Sequence, residues 1–264
     1  MSAGPILCKV RSKIDRLKSD SETPDHPMSE YRRILLKLSG EALSGKLGHG
    51  FDSDAIAAIC REIGQVRDLG VEIAIVVGAG NIIRGRAISS DGSDRVVADQ
   101  MGMLGTMING LGLKSALESQ GVSAKVLSAR AVEEFIEPFD RGNAVSCLEQ
   151  GSVVIFVGGT GNPFFTTDTA AALRAAQIGA DAILKGTKVD GVYDGDPVKN
   201  PSAQKFDTIT FGDVLNRGLG VMDLTAITMC RENSIPIVVF NMTVAGTLLR
   251  VIKGESVGTT VVNG

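Results

Sequence analysis

Tryptophan is absent from this chain, and aromatic residues make up only 4% of it. That leaves little to stack bases on and excludes a single-stranded nucleic-acid platform built from aromatic side chains. Positive charge is not in excess either: 27 Lys and Arg stand against 30 Asp and Glu, for a formal net charge of −3. A protein built to coat DNA or RNA carries the opposite balance, so no nucleic-acid partner is expected. The four cysteines, Cys8, Cys60, Cys147 and Cys230, are widely scattered, with no CxxC pair and no Cys/His cluster. Zinc and disulfide frameworks are thereby disfavoured, and thiols in a reducing cytosol are the expectation. No apolar run approaches the roughly 20 residues of a membrane span, and the first 30 residues hold no apolar signal core. A cytoplasmic protein with no membrane partner is expected.

What the chain has in abundance is glycine, 32 of 264 residues, within a 44% hydrophobic composition that can supply a sizeable core. Residues 1–29 read as a flexible extension. It carries Lys9, Arg11, Lys13, Arg16 and Lys18, then a Ser/Asp/Glu/Pro stretch. A mobile tail, or an upstream start with Met28 opening the functional chain, is the expectation; a basic anchor for an acidic surface is the alternative. From Tyr31 onward strand and helix patterns alternate. Strands are predicted at 32–38, 71–77, 124–127, 153–157, 182–185, 237–240 and 259–262. Helices are predicted at 52–69, 96–119, 169–178, 211–217, 224–233 and 244–252. This interleaving predicts an α/β fold, a three-layer αβα sandwich with a largely parallel central sheet. Ligands in such folds bind at the carboxyl ends of the strands, where the glycine-rich loops of this chain fall.

The densest of these loops runs from Gly158 to Asp168, between an apolar strand and an Ala-rich helix. Its glycines let the backbone approach a ligand closely. Thr166, Thr167 and Asp168 sit where the helix begins, able to cap it and leave amide donors facing an anion. The first strand ends in Lys37-Leu38-Ser39-Gly40, a lysine that becomes a phosphate ligand once a Ser-Gly turn follows it. The second ends in Gly78-Ala79-Gly80-Asn81, with Arg84 able to grip phosphate through several donors. A further strand ends in Lys185 and runs into a Gly/Asp-rich turn through Asp196. Two look-alikes fail on spacing. The segment 40–46 has the glycines and lysine of a P-loop, but Leu47 stands where Ser or Thr must hold magnesium. The segment 78–85 misplaces the third glycine of a dinucleotide fingerprint. A calcium loop within 184–197 also lacks the required ligand spacing.

Taken in order, KLSGEAL (37–43), GAGNIIRG (78–85), DRVVADQMGM (94–103), GTGNPFFTTD (159–168), LKGTKVDGVYDGDP (184–197) and VMDLTA (221–226) resemble the amino acid kinase family. The narrower strings resemble its bacterial branch that phosphorylates UMP. The resemblance runs from about 31 to 262. It implies transfer of the ATP γ-phosphate to UMP, giving UDP and ADP with Mg2+, on a domain spanning 30–264. An acceptor lobe to about 166 and an ATP lobe from about 167 are implied as well. It places Lys37, Leu38, Ser39, Gly40, Gly80, Arg84, Thr187, Tyr193 and Asp196 around ATP. It places Ala79, Asp99, Thr160, Gly161, Asn162, Pro163, Phe164, Phe165, Thr166 and Thr167 around UMP. Lys37, Lys185, Asp168, Arg84 and Asp223 would carry the chemistry, with Asp168 and Asp223 orienting the lysines and the metal. The segment Gly45, Lys46, Leu47, Gly48, His49 and Gly50 matches one linked to allosteric nucleotide binding. The resemblance also implies a homohexamer with GTP as activator and UTP as inhibitor. Ala79 is a departure, since most relatives carry the middle of three glycines there. A sensor that kept the fold and lost turnover is the competing reading; the retention of Lys37, Lys185 and Asp168 together argues against it.

Overall fold

The first strand, β1 (Arg33–Leu38), is buried on both faces, with Ile34 through Leu36 and Leu38 fully covered. A strand apolar on both sides must lie inside a sheet with layers above and below it. The computed structural model describes residues 29–83, 94–195, 200 and 202–264. The basic tail with Cys8, and the site candidates Arg84 and Asp196, lie outside the described residues.

After β1 come α1 (Gly40–Leu43), α2 (Ser53–Asp68), β2 (Glu72–Val77), α3 (Arg95–Ser119) and β3 (Ala124–Ser128). The middle of the chain forms β4 (Glu137–Pro138), α4 (Arg141–Glu149), β5 (Val153–Val157), α5 (Thr167–Ile178) and β6 (Ala182–Thr187). The last third holds β7 (Val192–Tyr193), β8 (Lys205–Phe206), β9 (Thr208–Thr210), α6 (Phe211–Arg217) and α7 (Leu224–Glu232), then β10 (Ile237–Asn241), α8 (Thr247–Ile252) and β11 (Thr259–Val262). Nine strands form one sheet in the order β4-β3-β5-β2-β1-β6-β10-β11-β9. Its pairings are parallel except β10 with β11. The β7 and β8 strands form a separate antiparallel ribbon.

Alternation along β1 sorts the core into two layers. Ile34, Leu36 and Leu38 face α2, α3 and α8, packing with Ile63, Leu113, Leu117 and Ile252. Leu35 faces the opposite layer, with Ala171 and Ala175 of α5 and Ile227 and Cys230 of α7. The predicted three-layer α/β sandwich is therefore the observed fold. Several boundaries differ from the predicted ones for local reasons. The α5 helix begins at Thr167 because Thr166 is its cap, its Oγ1 accepting the N–H groups of Asp168 at 3.0 Å and Thr169 at 3.3 Å. The α8 helix begins at Thr247 rather than 244. Glu62 of α2 accepts the Gly246 N–H at 2.8 Å and the Leu248 N–H at 3.2 Å, and so supplies the cap from outside. The α4 helix, absent from the sequence prediction, carries Gly142 and Asn143 in its first turn; Asp140 caps it by accepting the Asn143 N–H at 2.7 Å.

Candidate active site

Strand register assembles the centre. Lys37 of β1 and Lys185 of β6 are direct partners across the parallel ladder, so both side chains leave the sheet on the α5 face. The first turn of α5 delivers Asp168 between them. The Lys37 ammonium lies 2.5 Å from Asp168 Oδ1. Oδ1 itself is buried, with Lys37 as its ionic partner. Lys185 Nζ donates to Oδ2 at 3.0 Å and to the Val221 carbonyl at 2.5 Å. Burial pushes the Asp168 carboxyl up, but the two ammonium groups outweigh it and hold the carboxyl below its ordinary value. Burial pulls Lys185 below its ordinary value; Asp168 opposes that fall, and Lys37 reinforces it.

Asp223 supports this centre from one step away. Its Oδ2 accepts the hydroxyls of Thr166 at 2.5 Å and Thr169 at 2.9 Å, while Oδ1 caps α7 through the Ala226 N–H at 2.9 Å. It reaches Lys185 through its field, which favours the charged ammonium. Cys230 lies close by, and burial, then Asp168 and Asp223, push its thiol up to about 12. It is an inert core thiol rather than a nucleophile.

One cavity, of about 170 Å³, lies between the Gly78–Asn81 turn, the start of α3 and the loop before α5. Ala79, Gly80, Asp99, Gly159, Thr160 and Phe165 are among its lining residues, together with Thr166 and Thr167. Asp99 ties two of these pieces together. It accepts the Phe164 N–H at 2.7 Å and pairs with Arg95 at 2.9 Å. Phe164 takes a left-handed φ of 72°, a conformation a phenylalanine holds only when its surroundings fix it. Gly161 is held from the far side by Arg130, whose Nε donates to its carbonyl at 3.0 Å. Asn162 is exposed, and Pro163 half-buried at the same rim.

A second cavity, of about 520 Å³, runs from Lys185 along Thr187 to the β7 ribbon and the glycine-bearing segment after α6. Tyr193 lines it, its hydroxyl donating to Asp190 at 2.7 Å. Ser39 and Gly40 lie at the end of β1 beside Lys37, and Gly40 presses against the Gly78–Asn81 turn: a Cβ there would meet Asn81 Oδ1 at 2.4 Å and the Gly80 nitrogen at 2.6 Å. Leu38 is fully buried below, so it can offer only its backbone.

The Gly45–Gly50 segment presents Lys46, Leu47, Gly48 and His49 to solvent. It is tied to the Gly78–Asn81 turn at its far end. The Gly50 N–H donates to the Asn81 carbonyl at 2.9 Å, and Asn81 Nδ2 donates back to the Gly50 carbonyl at 2.8 Å. Its near end, Gly45 and Lys46, lines a separate cavity of about 440 Å³ between α1, α2 and the ends of β6 and β10. Sequence reasoning missed three contributors: the Val221 carbonyl on Lys185, Arg130, and Asn109. Asn109 is fully buried in α3 and bonds Asn81. No signal in the sequence pattern marks Asn109 as the polar residue of α3 that faces inward.

The centre thus joins two lysines from adjacent strands on one helix-borne aspartate, with Lys185 lining one cavity and Thr167 the other. The amino acid kinase family model matches residues 32–241, and the chain belongs to that family. It is 53% identical over 236 residues to the uridylate kinases of Phocaeicola vulgatus and Bacteroides thetaiotaomicron, covering 89% of this chain and all of theirs. Among solved structures it is similar to the UMP kinase from Bacillus anthracis, with a TM-score of 0.86 and 40% identity over 88% of this chain and 96% of that one. The UMP kinase from Ureaplasma parvum gives a TM-score of 0.84 and 39% identity, over 88% and 99% of the two chains.

Proposed function

We propose that this protein is a UMP kinase, moving the γ-phosphoryl group of ATP to the phosphate of UMP to give UDP and ADP in pyrimidine nucleotide synthesis. One observation carries the reading: Asp168 gathers the Lys37 and Lys185 ammonium groups, Lys185 lining one cavity and Thr167, the residue before Asp168, lining the other. Phosphoryl transfer needs in-line placement and neutralised charge far more than a strong base. The phosphate of UMP is already a nucleophile. Asp168, held ionised, therefore serves to fix two positive charges on the migrating group rather than to take a proton.

The donor role falls to Lys37, Leu38, Ser39, Gly40 and Gly80 at the phosphates, and to Thr187 and Tyr193 nearer the base and ribose. Arg84 and Asp196 join them on motif alone. Ala79, Asp99 and the 160–167 segment form the acceptor site. In this reading residues to about 166 are the acceptor lobe and those from about 167 the ATP lobe, with Asp168 at their join. Magnesium fits as a passenger of the nucleotide. Among the described residues no group of three or more His, Cys, Asp or Glu forms a cage, and magnesium is commonly held by one or two carboxylates plus substrate phosphates. Bound with the nucleotide it would neutralise phosphate charge, and Asp168 and Asp223 are the carboxylates assigned to orient the lysines and the metal.

A homohexamer is part of the proposal, supported by the apolar outer face of α3, where Leu104 and Ile108 stand 57% and 48% exposed. GTP activation and UTP inhibition are proposed to act through the 45–50 segment, whose bonds to Asn81 give it a mechanical link to the phosphate turn. The proposed site of action is the cytoplasm, where the free thiols stay reduced. Incubation with Mg·ATP labelled at the γ-phosphate tests the reading. Label should appear at the β-position of UDP with UMP present; label released only as inorganic phosphate would overturn it.

A further inference from the structure

Gly105 sits in the interior of α3, fully within a 25-residue helix, and is buried. A glycine there is costlier than alanine in helix propensity, so a packing reason is required. The reason lies across the acceptor cavity wall. A Cβ built at position 105 would stand 2.8 Å from the Cβ of Ala79, far inside the 3.5–4.0 Å at which two carbons rest. The methyl of Ala79 occupies the space that the helix leaves at 105. Neither carbon can yield by rotating, since a Cβ is fixed to its backbone.

The same face of α3 grips the turn that Ala79 belongs to. Asn109 Nδ2 donates to the Gly78 carbonyl and to Asn81 Oδ1, both at 2.7 Å, and Asn81 Nδ2 answers to Asn109 Oδ1 at 3.0 Å. One turn earlier, Thr106 Oγ1 accepts the Gly158 N–H at 2.8 Å and donates to the Met103 carbonyl at 2.7 Å. One helix face therefore sets the separation of both glycine-rich loops that wall the acceptor cavity. Hydrogen bonds fix the turn's direction; the Ala79 methyl in the Gly105 notch fixes how close it lies.

We propose that Gly105 is a positioning residue for phosphoryl transfer, interlocked with Ala79 so that the two sizes act as one unit. The proposal rests on the kinase reading for its effect on rate, while the interlock itself stands on the packing. A methyl at 105 drives the turn away from α3 by several tenths of an ångström or more, and misplacement on the scale of 1 Å costs about 100-fold in rate.

The test is the cycle of wild type, Gly105→Ala, Ala79→Gly and the double variant, with kcat, both KM values and melting temperature measured for each. Gly105→Ala should lower kcat at least tenfold in the wild-type background, and less than threefold in the Ala79→Gly background. Its melting temperature should fall in the first background and rise in the second, where only helix propensity acts. Equal effects of Gly105→Ala in the two backgrounds, in rate and in melting, would overturn the interlock. A melting-temperature coupling without a kcat coupling would leave Gly105 purely structural and overturn the positioning role. If Gly105→Ala alone fails to fold, an active double variant upholds the proposal and an unfolded one overturns it. Failure of wild type to make UDP sinks the kinase reading instead, and the melting cycle still decides the interlock.

Discussion

Lys37 and Lys185 face each other across β1 and β6, one register position shared by two adjacent parallel strands. Two ammonium groups so placed repel, and the arrangement stands because the α5 N-terminus inserts Asp168 between them. The centre is thus a property of register and of one helix start.

In the proposed mechanism Lys185 is one of two fixed charges on the migrating phosphoryl group, and Lys185→Ala removes it. A preorganised donor of this kind contributes roughly 100- to 1,000-fold in kcat. Turnover should drop by about that factor, while UMP affinity by isothermal titration stays within a few fold, since the acceptor cavity does not include Lys185. An unchanged kcat would remove Lys185 from the mechanism.

Asp168→Asn leaves two buried ammonium groups without their carboxylate, and breaking a buried ion pair from one side costs about 3–5 kcal/mol. The Asp168 pull on Lys185 also disappears, so burial takes the Lys185 ammonium further below its ordinary value. The alkaline limb of the kcat–pH profile should move to lower pH. In the wild type the Asp168 carboxyl titrates below its unfolded value of 3.8. Its stabilising contribution is therefore complete above that value and is lost as pH falls through the lower folded one. Acid unfolding monitored by circular dichroism should show wild type losing its advantage over Asp168→Asn in that window.

Asp223→Ala removes a helix cap and the anchor of Thr166 and Thr169. The cap alone is worth about 1 kcal/mol, measurable by urea unfolding. Freed Thr166 borders the acceptor cavity, so KM for UMP should rise several fold more than KM for ATP. Equal changes in the two KM values would show that Asp223 does not shape the acceptor side.

Gly40→Ala places a Cβ against the backbone of the Gly78–Asn81 turn, 2.6 Å from the Gly80 nitrogen and 2.8 Å from the Gly78 carbonyl. Backbone cannot swing aside as a side chain can. Activity should fall at least 100-fold by the sensitivity of transfer to placement, whereas Gly48→Ala, with nothing within 4 Å, should strain only its own left-handed backbone.

The parallel sheet was legible because strand length, helix periodicity and glycine punctuation agree along most of the chain; β5, α6 and β11 lie at the residues their patterns predict. The lysines and Asp168 were legible as motif members, and the resemblance implied that Asp168 orients the lysines, but the geometry that brings them together was not legible. Register between β1 and β6 is a long-range fact that neither strand's sequence carries. Asp223 could be named but its partners could not, because Thr166 and Thr169 lie at the start of a helix 54 to 57 residues away in sequence. Asn109 escaped notice because nothing in a helical pattern marks which polar residue faces inward. Ala79 was visible only as an odd residue in a glycine turn, and it makes sense once Gly105 is seen opposite.

The most direct test measures ADP release from Mg·ATP in parallel with UMP, CMP, dUMP and no acceptor. Rapid turnover with UMP, little with CMP or dUMP, and a negligible blank is the predicted result. It would tie the acceptor cavity to uracil and ribose recognition. No turnover with any acceptor, in protein that still binds ATP or UMP, would contradict the account and make this a nucleotide-binding protein without transfer.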